Sequence, residues 1–354
     1  MSTSDITATQ KRDVYASVAA QIVTAIEQGV GTWRMPWHTS GKFASSPINV
    51  ASRKPYRGIN TVCLWAAAQA KGYERGEWAT YQQWQERGAQ VRKGEKATTV
   101  VFWKFANRAD DTDDIDDPTP TPGSRLLFTR GYSVFNAAQV DGYNPPADPE
   151  VPGLERIRRA DVFFQDIGAK VRHGGNQAFY AASTDHIQMP AFQSFRENLG
   201  YYATLAHEHT HWTAHSARCD RQLGKRFGDN AYAAEELIAE LGAAFTCAHL
   251  GFSTEPREDH AQYIQSWLKV LKADKRAIFT AASKAQQACD WLIARAGLPA
   301  PTDFAQGSSL SSAIADSQMA RRFDAISGRE RSAFMDEHGE PIMWVDSDPL
   351  ERVA

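Results

Sequence analysis

Two stretches of this chain restrict its fold more than any others: "LAHEHTHW" (Leu205 to Trp212) and "EELIAELGAAF" (Glu235 to Phe245). In the first, His207 and His211 stand four residues apart, which on a helix sets them on one face, about 6 Å apart along the axis. Two imidazoles so placed converge on one tetrahedral ion, the physics of the H-E-x-x-H pattern. Glu208 lies roughly 100° round the helix from His207, beside the ion, where it can take a proton from water that the ion acidifies. Leu199, Tyr202, Leu205 and Ala206 make this a buried helix, and buried histidines require partners. His209 points away from the pair, and His215, another turn along, is too distant to share one ion with both. A third protein ligand must come from elsewhere.

The second stretch supplies it. Glu236 and Glu240 are four apart on a helix whose other positions are apolar: Leu237, Ile238, Leu241, Ala244 and Phe245. Gly242, Ala243 and Ala244 let that helix press close against the histidine helix. A carboxylate on such a face is costly unless it is paired or bound to metal; the alternative is that Glu235, Glu236 and Glu240 form a solvated face. The string E-x-x-A-E resembles the E-x-x-A-D segment of Glu-type zinc peptidases. That likeness implies Glu236 as the third ligand and Glu240 as the group that orients a ligand histidine.

The front of the chain has a different character. Through Asn107, 14 Lys and Arg stand against 7 Asp and Glu, and six of the ten tryptophans fall within the first 103 residues. Aromatic faces stack on unpaired bases while cations track phosphates, so this mixture suits single-stranded DNA. Stacking needs an exposed ring, which favours the loop residues Trp33 and Trp37, with Tyr56 similar. Candidate contacts are Trp33, Arg34, Trp37, Arg53, Tyr56, Arg57, Arg92, Lys93, Lys96 and Lys104, whereas Trp65, Trp78 and Trp84 suit the core of a small domain.

Apolar spacing at Val14, Val18, Ile22 and Ile26 predicts a helix over Asp13 to Gln28, and two more helices follow at "INTVCLWAAAQAKG" and "TYQQWQERG". Ala97 to Phe105 and Arg125 to Phe135 read as paired strands, joined by an acidic loop with six Asp between Asp110 and Asp117. "DGYNPPADPEVPG" reads as a stiff linker, and the chain beyond it as largely helical. The organisation expected is α+β: a mixed α/β DNA-binding domain over 1–145, a mostly helical metal domain over 146–300, and a polar, flexible tail over 301–354.

Four scattered cysteines give no disulfide frame, and no run of about 18 apolar residues exists to span a membrane. A cytoplasmic protein without a membrane partner is expected. The strings "GTWRMPW", "PYRGINTVCLW", "WATYQQWQERGAQVRKGEKATTVVFWK" and "VFNAAQVDGY", followed by "LAHEHTHWTAH" and "YAAEELIAELGAAF", resemble the ArdC antirestriction family in order and content. The resemblance implies a single-stranded-DNA-binding domain followed by a zincin-like metallopeptidase domain, in a plasmid- or phage-borne protein that shields entering DNA from host restriction during conjugation. The expected cofactor is Zn2+, with Mn2+ or another divalent ion as the substitute. The expected metal ligands are His207, His211 and Glu236, and the expected general base is Glu208. Tyr232, Arg218 and His215 are the candidates for oxyanion stabilisation. The expected partners are single-stranded DNA and an unidentified protein substrate, such as a host restriction component. The competing expectation is a non-catalytic DNA-binding protein whose metal is structural.

Overall fold

The computed structural model describes residues 13–29, 35, 46–106, 125–145, 153–221, 230–252, 261–298, 331–335 and 341–346. Helix α1 (Val14–Gly29) buries Val18, Ile22 and Ile26, the stripe set by the four-residue spacing. Strand β1 (Ile48–Asn49) leads into α2 (Ile59–Lys71), which stops where Gly72 takes a left-handed conformation at φ 65°. Strand β2 (Glu77–Thr80) runs straight into α3 (Tyr81–Glu86). That transition is set by a capping box: the Gln83 amide donates to Thr80 Oγ1, and the Thr80 amide donates to Gln83 Oε1 at 2.9 Å.

Strand β3 (Gln90–Val91) is short, and the long hairpin β4 (Thr98–Ala106) and β5 (Arg125–Asn136) follows the expected pairing, with Val101 opposite Gly131. The main sheet has the order β1-β2-β5-β4; β6 (Val140–Asp141) pairs with β3 alongside it. The acidic loop between the hairpin strands lies outside the described residues, as do 146–152 of the linker.

The rear half holds more than helices. After α4 (Gly153–Ile167) come β7 (Val171–His173), β8 (Phe179–Ala181) and β9 (His186–Met189), a three-stranded sheet in the order β7-β9-β8. Each strand is three or four residues long, too short for an alternating pattern to declare itself. Helices α5 (Asn198–Trp212), α6 (Asn230–Leu250), α7 (Ala261–Ala273) and α8 (Ala277–Arg295) complete this half. Within the segment read as a flexible tail, β10 (Arg331–Met335) and β11 (Pro341–Asp346) form an antiparallel pair.

The two halves share a core. Ile22, Met35, Trp65 and Val101 belong to the same buried cluster as Leu205, Phe245 and Leu292, and the Trp65 ring lies 5.8 Å from that of Phe245. Polar contacts reinforce the junction: the Gly58 amide donates to Gln286 Oε1 at 2.9 Å, and Arg57 forms an ion pair with Asp290 of α8. A front domain with a core wholly its own was the expectation; α2 instead lies between the main sheet and the rear helices. No helix among the described residues is long and apolar enough to cross a membrane.

Candidate metal centre

Helix α5 carries His207 and His211, and α6 carries Glu235, Glu236 and Glu240. All five side chains are withdrawn from solvent. Glu235 is 2 % exposed, Glu236 7 % and Glu240 4 %, so the solvated-face alternative fails. The helices meet this closely because α6 presents Gly242 to Thr210, with no room for a side chain between them.

One ligand atom each from His207, His211 and Glu236 lies within 4.8 Å of the other two. The two Nε2 atoms are 3.1 Å apart; Glu236 Oε2 is 3.5 Å from that of His207, and Glu236 Oε1 is 3.6 Å from that of His211. On the far side of each ring a second carboxylate waits: Glu240 Oε2 is 3.5 Å from His207 Nδ1, and Glu235 Oε1 is 3.3 Å from His211 Nδ1. Metal-binding histidines require this arrangement, since the outer carboxylate sets the ring's orientation and raises the basicity of the ligating nitrogen. Two imidazoles and one carboxylate also suit a borderline divalent ion, with a fourth position left over.

Electrostatics favour a cation here. Burial works against charge on His211, but hydrogen bonds accepted by the Glu235 and Glu236 carboxylates outweigh it and push its pKa up to about 10. Burial likewise raises Glu236, yet the two histidines together hold it far below the ordinary carboxylate range. With Glu235 paired to Arg221, the Glu236 and Glu240 carboxylates beside the two rings supply the negative charge that a divalent ion neutralises.

The neighbouring side chains sort by contact. Glu208 is 3 % exposed, next to the first ligand on α5. His209 is 0 % exposed; its Nδ1 lies 2.8 Å from the Leu205 carbonyl, its ring 4.8 Å from Phe164, and burial lowers its pKa to about 4. Tyr232, one turn before Glu236 on α6, hydrogen-bonds that carboxylate, and its hydroxyl is 3.2 Å from the Tyr263 hydroxyl. Burial, Tyr263 and Glu236 hold the Tyr232 phenol protonated, well above its ordinary range. Arg218 is engaged elsewhere, with Asp185, Tyr180 and the Trp212 carbonyl, and stacks over the Trp212 ring. His215 Nδ1 accepts the Ala217 amide.

Sequence reasoning gave Glu235 no role at the site, naming it only in the alternative of a solvated face shared with Glu236 and Glu240. The need of His211 for an outer acceptor was the available signal. It also missed Arg221, whose guanidinium bonds Glu235 from an irregular loop that no periodicity marks.

The DNA-contact candidates fare unevenly. Tyr56 is 2 % exposed and packs with Trp78 and Leu64, because its ring closes the small core under the sheet; it offers no free face for stacking. Arg57 is 6 % exposed and turns inward to Asp290, so it is a junction residue rather than a phosphate contact. Arg53 is exposed at φ 62°, and Lys93 and Lys96 are exposed. Arg92 is exposed as well, but ion pairs to Glu95 and Asp141 divide its charge. Trp33, Arg34 and Trp37 lie outside the described residues, as does the side chain of Lys104 on β4. Trp65, Trp78 and Trp84 are all buried, as core residues should be.

Occupancy is open to direct measurement. A divalent ion at a hundredfold over its Kd is expected to stabilise the protein by about 2.7 kcal/mol. His211→Ala should erase that gain. Calorimetry with ion, with chelator and with the variant reads all three, and a wild-type transition indifferent to both additions would remove the metal.

Comparison with known proteins agrees with this construction. Residues 12–135 match the N-terminal domain of anti-restriction factor ArdC, and residues 158–284 match a zincin-like metallopeptidase family. The uncharacterised protein y4eC of Sinorhizobium fredii is 53 % identical over 294 residues, covering 83 % of this chain and 95 % of its own length. A DNA primase TraC of Escherichia coli is 35 % identical over 297 residues, but the chain spans only 20 % of that protein. The crystal structure of the antirestriction protein ArdC from the R388 plasmid superposes with a TM-score of 0.63 in its metal-free form, at 40 % identity. It covers 80 % of this chain and 98 % of that one. Its Mn(II)-bound form gives 0.61 at 41 % identity. Family signatures over both halves, near-complete coverage of a solved relative and a converged His-His-Glu site lead to one assignment: the chain belongs to the ArdC antirestriction family and carries a zincin-like metallopeptidase domain.

Proposed function

We propose that this protein binds single-stranded DNA entering a cell and acts there as a metallopeptidase that disables a host restriction component. The observation that carries the reading is the convergence of His207, His211 and Glu236, with the buried Glu208 next to His207 on α5, in the rear half that shares its core with helix α2. A divalent ion held by the trio supplies Lewis acidity, polarising a carbonyl and lowering the pKa of water. Zn2+ fits the donor set, and the Mn(II)-bound R388 relative supports Mn2+ as the alternative.

The chain's own residues divide the remaining work. Glu208 accepts a proton from the attacking water and returns it to the departing amine. Glu240 and Glu235 keep the ligand rings in register. Of the three candidate donors to the carbonyl oxygen, Tyr232 is the one in contact with the ligand set, through Glu236, whereas Arg218 and His215 bond away from it. Transfer of unmodified plasmid DNA into a restricting host, with and without this protein, tests the function as a whole. No gain in transfer would refute it.

DNA binding is assigned to the exposed cations Arg53, Arg92, Lys93 and Lys96, and to Trp33, Arg34 and Trp37. Arg92 and Lys93 line an open cavity of about 540 Å³ with Tyr81, whose ring is 44 % exposed and takes the stacking role that Tyr56 cannot. Affinity for an oligonucleotide should fall with salt at a slope of about −0.7 per phosphate neutralised. A flat response would discard the electrostatic part of this surface.

A second reading has one observation in its favour. His207, Glu208 and Glu236 are each below a tenth exposed, which leaves a polypeptide substrate little access to the ion. In that reading the ion only holds α5 to α6, and the front half alone protects DNA.

A further inference from the structure

We infer that Arg221 and Glu235 form a buried staple that sets the geometry of the metal centre from outside it: Arg221 fixes Glu235, and Glu235 fixes the ring of His211. Beyond the end of α5 the chain folds back on itself. The Cys219 amide donates to the Thr213 carbonyl at 2.8 Å, the Arg221 amide donates to the Ala214 carbonyl at 2.8 Å, and Asp220 makes the turn at φ 47°. This return aims the Arg221 side chain at the last turn of the histidine helix, where it is 2 % exposed.

Four hydrogen bonds hold the guanidinium. Its Nη2 donates to the Thr210 carbonyl at 2.7 Å and its Nη1 to Thr213 Oγ1 at 2.8 Å. The Thr210 carbonyl also accepts the Thr213 hydroxyl at 2.6 Å, and the C-terminal end of a helix carries the negative end of its dipole, so a cation is well placed there. The other edge of the plane forks onto Glu235: Nε reaches Oε2 at 3.1 Å and Nη2 reaches Oε1 at 2.8 Å. That same Oε1 is 3.3 Å from His211 Nδ1. The result is a continuous line of contacts from the C-terminal end of α5, through one cation, to the residue that precedes the ligand Glu236 on α6.

Energetics indicate what such a line is for. A buried ion pair adds little net stability compared with apolar side chains of the same volume. What it does supply is direction. A planar fork with fixed donor angles locks a carboxylate in one orientation, and a locked carboxylate locks the imidazole it faces. Lysine offers one point charge on a flexible stem and cannot hold both helix carbonyl and carboxylate in that plane. Arg221 and Glu235 are therefore positioning residues, acting through His211.

The inference rests on the metal reading of the His-His-Glu trio, and its test separates the two. Zn2+ affinity is measured on the full chain by competition with a chromophoric chelator, and the visible spectrum is recorded with Co2+ loaded, for wild type, Arg221→Lys and Glu235→Gln. Each variant should bind Zn2+ about 10- to 100-fold more weakly. Each should also shift the Co2+ absorption bands, because the ring of His211 turns. Should Arg221→Lys fail to fold, Glu235→Gln and the milder Thr213→Val decide by the same readings; the latter removes the hydroxyl that accepts from Arg221 and donates to the Thr210 carbonyl, and should lose about fivefold or more, the worth of one to two hydrogen bonds. Folded variants with wild-type affinity and spectrum overturn the proposal. So does a lowered thermal midpoint with the Co2+ bands unmoved, which marks a purely structural role. If wild type binds neither ion, the metal reading falls and this inference with it.

Discussion

Glu208→Gln is expected to abolish hydrolysis while leaving metal and DNA bound. The substitution is nearly isosteric, so α5 and its packing should survive. Glu208 is 3 % exposed and is not one of the three converging ligands, so removing its charge leaves the ion's donors intact. What disappears is the basic oxygen. A positioned general acid–base group is worth about 10²- to 10⁴-fold in rate, and the variant should lose at least that much. Its ability to protect incoming DNA should vanish in parallel, while oligonucleotide affinity and metal content stay at wild-type levels. His207→Ala provides the contrast, since it should lose the ion and destabilise the rear half together. Full protection by Glu208→Gln would sink the peptidase proposal and leave the structural-metal reading standing.

The metal centre was legible because its spacing obeys helix geometry. Four-residue intervals at His207/His211 and Glu236/Glu240, set among apolar neighbours, can be read without a structure, and these side chains do meet. Glu235 was harder, because adjacent helix positions lie about 100° apart and a single sequence does not show that both neighbouring glutamates turn inward. Arg221 was invisible: its role depends on an irregular return of the chain that leaves no period.

The front half shows the opposite failure. Trp, Tyr and Arg are equally at home in a core, at a junction or on a nucleic-acid face, and composition alone does not separate these uses. Hence Tyr56 and Arg57 were assigned outward and point inward, while Tyr81, on the exposed side of α3, was passed over. The strand pair β4/β5 was found by its long β-branched and aromatic run, whereas the brief strands β7 to β9 had no run long enough to notice.

Gly242→Ala tests whether the approach of α5 and α6 governs the site. A methyl group at Gly242 would lie 2.5 Å from Thr210 Cγ2, 2.8 Å from Oγ1 and 3.2 Å from Cβ. Thr210 has little freedom to yield: it is fully buried, and its hydroxyl donates to the Ala206 carbonyl at 2.9 Å. Alanine favours the helix by about 1 kcal/mol over glycine. Overpacking costs about 1–3 kcal/mol, so the change in global stability should be small or moderately negative. The larger effect falls on the metal. Ligand distances must hold within about 0.2 Å, and Thr210 and Gly242 are near neighbours of His211 and Glu240 on the two helices being forced apart. Affinity for Zn2+ should drop about tenfold or more. Thr210→Ala removes the two closest atoms, so adding it to Gly242→Ala should restore most of the lost affinity, a strong coupling between residues in contact. Chelator competition on both single variants and the double variant reads the cycle. Wild-type affinity in Gly242→Ala would mean that the two helices hold the ion without needing to touch at Gly242.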